Sequence, residues 1–164
     1  MRALSQISKK TGAPIENIED IIIWGNHSAT QYPDASFTKV NGKSLEGMEE
    51  YIQGEFIEKV AKRGAEIIDA CGKSSAASAA AAICEHMHDW WFGNQQGGWV
   101  SMGVIVEGGK YGLDGDLCFS YPCNINELGE WYVVEGLELT EFSQNKLKLT
   151  EKELQDERKM ALGR

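Results

Sequence analysis

The chain has 164 residues, 42% of them hydrophobic, and a formal net charge of −9. A chain of that length fits a single domain spanning residues 1–164 and should bury roughly 70% of its unfolded surface, so a core needs no metal or disulfide. The acidic balance, without any basic run or stripe, argues against nucleic acid and anionic lipid, since phosphate recognition depends on clustered Lys and Arg.

The four cysteines, Cys71, Cys84, Cys118 and Cys123, form no CxxC pair. They read as scattered, reduced, partly buried thiols rather than a zinc set, which points to the cytosol. No secretory leader is read in the first residues. The longest apolar run, residues 76–84, is broken by Ser78 and is far too short to span a bilayer.

In chain order, residues 3–10 read as a short helix stopped at Gly12. Ile21-Ile22-Ile23-Trp24 is a β-branched run expected to be a buried strand, and it empties into the polar turn Gly25-Asn26-His27-Ser28. A loop and short hairpin follow to Leu45, with Asn41-Gly42 as the turn signal. Residues 48–71 read as one amphipathic helix, because Ile52, Phe56, Val60, Ile67 and Cys71 recur at helical spacings. Ser74 or Ser75 can cap the next helix, which runs to Gly93 and is expected to pack tightly through its Ala-rich first half. Residues 99–106, 118–125 and 130–135 read as strands, the last two joined by the turn Glu127-Leu128-Gly129. Thr150-Glu151-Lys152-Glu153 has the form of a capping box opening a charged C-terminal helix. Helices bracketing an antiparallel β region, with no βαβ repeat, define an α+β class.

His27 leads the candidates for chemistry. It follows a buried strand on a short turn, and its imidazole can take and return a proton near neutral pH. From position alone two readings stand, a general base or a loop histidine without a role. His86 and His88, two apart, diverge on a helix and are read as surface or core-edge residues rather than metal ligands. The tryptophans, including Trp90-Trp91 beside Phe92, are read as packing. No GxGxxG, Walker A or GxSxG pattern occurs.

IIIWGNHSATQYPD, residues 21–34, resembles the catalytic-histidine segment of cytosolic-type malate dehydrogenases. The likeness continues through GEFIEKVAKRGAEII, SSAASAAAAICEHMHDWWFG, WVSMGV and EGLELTEFSQNKLKLTEKEL, in the family's order. It covers nearly the whole chain, with a shorter stretch around Asn41 to Gln53. The resemblance implies the C-terminal, substrate-binding domain of that family without its Rossmann, NAD-binding domain. Arg2 matches the arginine of the family's Leu-Asp-x-Asn-Arg motif, and Met1 stands where the asparagine would be.

The chemistry so implied is hydride transfer between malate and NAD, giving oxaloacetate. His27 would be the proton acceptor, Arg2 would hold the substrate carboxylate in a two-pronged contact, Ser75 would touch the substrate, and Ser78 would approach the nicotinamide. No metal is expected. On its own the chain is expected to have negligible activity and to self-associate, in keeping with the family's homodimers. The alternative is a stand-alone, non-catalytic dicarboxylate-binding or dimerisation module.

Overall fold

A computed structural model describes residues 2–73, 76–94 and 98–163 of the chain. Helix α1 (Arg2–Thr11) buries Ala3, Gln6 and Ile7 and stops at Gly12. Strand β1 (Ile18–Glu19) is followed by β2 (Ile22–Trp24) and β3 (Tyr32–Asp34), the last two forming an antiparallel pair. Strands β4 (Lys39–Val40) and β5 (Lys43–Ser44) turn through Asn41-Gly42. Both turn residues have positive φ, 52° and 74°, as a two-residue hairpin requires. β4 also pairs with β1, so β1, β4 and β5 make a small sheet.

The helix expected over residues 48–71 is interrupted. α2 (Glu49–Gln53) ends at Gly54, whose ψ of −99° lies outside the helical region, and α3 (Glu55–Cys71) starts there. The apolar spacing survives the break because Ile52 and Phe56 enter the same core, with Ala3, Ile7, Ile18 and Ala35. α4 (Ala76–Phe92) stops at Gly93 as expected; Ser74 and Ser75 lie outside the described residues.

Strands β6 (Val100–Ile105), β7 (Cys118–Ile125) and β8 (Trp131–Val133) form an antiparallel sheet in that order. Its register places Met102 opposite Tyr121 and Cys123 opposite Val133, all four facing the larger core. Trp24 fills that core edge-on to Tyr111 and Tyr121, at 5.2 and 6.3 Å between ring centroids. Its indole N–H donates to the fully buried Asp34 carboxylate at 3.1 Å, which satisfies two polar groups that would be costly to bury alone. Of the cysteines only Cys123 is buried, and burial pushes its thiol up to about 11; Cys71, Cys84 and Cys118 are exposed.

The largest departure is at the C-terminal helix. α5 (Glu141–Leu162) begins well before Thr150, capped by the Thr140 hydroxyl, which accepts from the Ser143 N–H at 3.1 Å. Thr150 is not a cap; it is buried in mid-helix. The cap-like pattern is coincidental there, since Thr140 precedes the apolar run and takes the role.

The two-stranded sheet joins the three-stranded one through Gly25 and Ser120, which exchange N–H···O bonds of 3.2 and 3.0 Å. Gly25 has φ +90°, and a Cβ there would stand 2.3 Å from the Thr150 hydroxyl oxygen. Gly25→Ala should therefore cost about 2–4 kcal/mol, from positive-φ strain and overpacking together. Denaturant unfolding checks this, and a loss within error of zero would contradict it.

Candidate functional site

The loop carrying His27 leaves β2 at the bridge to β7 and is fastened to α5 on both sides of the histidine. The Asn26 N–H donates to the Thr150 hydroxyl at 2.9 Å, and the Asn26 side-chain amide donates to Glu157 at 3.1 Å. The Ser28 and Thr30 hydroxyls both donate to one oxygen of Glu153. Behind the loop, the Ser101 hydroxyl accepts from the Ile23 N–H at 2.9 Å, and the Ser120 hydroxyl donates to the Ile23 carbonyl at 2.6 Å. These bonds commit the loop's backbone and flanking side chains. The His27 N–H is capped by the Asn26 side-chain oxygen at 2.8 Å, while the residue itself is exposed. A fixed loop thus presents an imidazole ring whose nitrogens are committed to no hydrogen bond among the described residues.

Arg2 opens α1 and is exposed. Its guanidinium lies over Gly64 of α3, with Nη1 3.1 Å from where a Cβ would stand. A glycine inside a helix costs about 1 kcal/mol relative to alanine, and here it leaves room for that guanidinium. Arg2 forms no ion pair among the described residues, so its charge is open to an anionic partner. No hydrogen bond or ion pair joins Arg2 to His27 among the described residues, and the two lie on separate elements, α1 and the β2–β3 loop. Ser78 is exposed on α4, and Ser75 falls outside the described residues.

Sequence reasoning missed the fastening residues. Thr150, Glu153 and Glu157 lie more than a hundred positions from the loop, and a helical spacing of three and four was the one local sign that they share a face.

α4 differs from what its composition suggests. Among its described residues none is buried, so the expected close packing of its Ala-rich half is not made by the described residues. Nor are Trp90-Trp91-Phe92 packed inside: Trp91 is 75% and Phe92 50% exposed. Trp90 and Trp91, with Met87 and the 83% exposed Leu128, frame an apolar cleft of about 530 Å³ beside the β7–β8 turn. His86 and His88 lie against Trp90 and Phe92 respectively.

The chain is thus an α+β domain that presents a histidine on a fastened loop and, on a separate helix, an arginine with no ion pair among the described residues. The chain belongs to the lactate/malate dehydrogenase family: that family's alpha/beta C-terminal domain matches residues 1–163. It is 46% identical to the cytoplasmic malate dehydrogenase of Bos taurus and 47% to that of Gallus gallus, each over 98% of this chain. The crystal structure of malate dehydrogenase from Naegleria fowleri superimposes with a TM-score of 0.89 at 45% identity, covering 97% of this chain and 49% of that one. Trichomonas vaginalis lactate dehydrogenase in complex with NADH and oxamate gives 0.91 at 33% identity, covering 99% and 51%. The chain spans about half the length of the relatives it matches, 50% of the Bos taurus protein.

Hydrogen bonds from Ser28 and Thr30 hold the Glu153 carboxyl below the usual glutamate range. A lowered folded pKa stabilises above the ordinary range and ceases to do so as pH falls through the lower folded value. Acidification below that range should therefore release residues 26–30 from α5. Their amide NMR shifts should move in acid and should already be displaced at neutral pH in Glu153→Gln. Identical acid titrations in both proteins would refute the assignment.

Proposed function

We propose that this chain is the substrate-binding half of a cytosolic, NAD-dependent malate dehydrogenase. The observation that carries the reading is the His27 imidazole, uncommitted among the described residues and exposed on a loop whose Asn26, Ser28 and Thr30 side chains are bonded to α5. Support comes from 46% identity with a cytoplasmic malate dehydrogenase, against 33% with a lactate dehydrogenase of the same fold.

In this reading Arg2 binds the substrate carboxylate through both guanidinium nitrogens, a geometry lysine cannot reproduce. His27 accepts the proton of the malate hydroxyl and returns it in the reverse direction. Ser75, at the head of α4, contributes a hydroxyl to the substrate, and Ser78 approaches the nicotinamide. All strand pairs among the described residues are antiparallel, so they build no parallel-sheet dinucleotide crevice. Their fit to the cofactor is confined to one edge, the exposed Ala/Ser face of α4. Bound NAD supplies the hydride acceptor.

The 164-residue chain alone should therefore turn over malate negligibly. Joined to the N-terminal half of the Bos taurus relative, it should reduce NAD in the presence of malate. In that chimera His27→Asn should lower kcat by about 10²–10⁴, and Arg2→Gln should act chiefly on kcat/KM. A chimera that folds and binds NAD yet keeps full activity with His27→Asn would overturn the reading.

Met87, Trp90, Trp91 and Leu128 gather exposed apolar side chains around one cleft, a feature that favours association, so the chain should self-associate. Sedimentation should show a dimer or larger species that Trp91→Ser weakens. A clean monomer at high concentration would rule this out.

A further inference from the structure

We propose that the groove between α1 and α3 binds a compact polyanion, one carrying two or more negative charges on phosphate or carboxylate groups. The groove encloses about 250 Å³ and is lined by Lys9 and Lys10 from α1 and by Lys59 and Arg63 from α3, with Glu66 the one carboxylate on its wall. Four cations gathered around one groove stand out in a chain whose net charge is −9. None of the His27 loop lines it.

Two features argue for a ligand over a merely solvated face. The first is Gln6, which lines the groove and is 8% exposed. Its side-chain amide makes no hydrogen bond among the described residues; the nearby Tyr51 hydroxyl donates to the Gln6 backbone carbonyl instead, at 3.4 Å. The Gln6 amide lines the groove with no bond to break among the described residues, so its N–H groups are open to an acceptor bound there. The second is the spacing of Lys59 and Arg63. Four apart on one helix, the two share a face and can reach the same anion. Their intramolecular partners are exposed pairs, Lys59 with Glu55 at 2.8 Å and Arg63 with Glu66 at 2.9 Å, which a stronger acceptor can displace.

Lys9 and Lys10 also complement the carbonyl end of α1, which explains their place but not the cations facing them from α3. Lys10 sits over the Tyr51 ring at 4.7 Å, leaving its ammonium at the groove mouth. The arrangement suits charge-assisted hydrogen bonds to an anion, with the Arg63 fork as the directional element.

The inference uses no step of the dehydrogenase reading and is tested on the 164-residue chain. Calorimetric titration at low salt with inorganic pyrophosphate and with tricarballylate should show one equivalent of at least one of them bound. The tighter of the two identifies phosphate or carboxylate as the chemistry. The double variant Lys59→Gln/Arg63→Gln should weaken binding at least about tenfold. Gln6→Leu, shown by circular dichroism to be folded, should also weaken it. Lys62→Gln should not, since Lys62 is on the same helix but pairs with Glu58 away from the groove. No heat with either anion, or an equal loss in Lys62→Gln and the double variant, would overturn the proposal.

Discussion

The structure depends on one seam, where α5 is laid against the loop that leaves β2. Thr150 fits there only because Gly25 has no side chain, and its hydroxyl meets the Asn26 N–H in the same place. One turn on, Glu153 gathers the Ser28 and Thr30 hydroxyls. The seam also fixes the relation of the two sheets, since Gly25 is the residue that bridges to Ser120. Core packing, sheet geometry and the presentation of His27 thus share a few atoms, and a change in one is felt in the others. Hydrogen-bonded preorganisation of this sort is what a proton-transferring group needs.

Much of the architecture could be read locally. Strand β7 falls on the predicted residues because its apolar alternation and flanking turns are contained within a few positions. The Asn41-Gly42 and Glu127-Leu128-Gly129 turns are likewise local chemistry, with Gly129 at φ +77°. The misreadings came where tertiary context decides. Thr150 has the signature of a cap, but its hydroxyl is used sideways by a loop more than a hundred positions away. Gly54 was tolerable in a helical pattern, yet its dihedral angles divide α2 from α3. The sequence expects Trp90 and Trp91 to pack in a core or an interface, and no core encloses them among the described residues.

The site was legible to a similar degree. His27 was found from its place after a buried strand and from family resemblance together. The clamp that positions it was not visible, because hydrogen bonds between distant segments leave no periodicity. Arg2 had no local warrant, and its rationale emerges only with Gly64 opposite it. α4 shows a related limit: small residues announce a close neighbour without saying which one. The chain spans about half the length of its relatives, and the neighbour is not among the elements described in it.

The span of the α5 contacts has a consequence for how the domain is made. The bonds from residues 26 and 28 to residues 150, 153 and 157 join positions separated by 124 to 131 in the chain. A ribosome delivers the histidine early and its clamp last. Until α5 has emerged, the loop has nothing to close against, and the entropy of that long closure is unpaid. The fastened geometry of the His27 loop therefore forms only after α5 does, so the sheets can be acquired while the loop is still open.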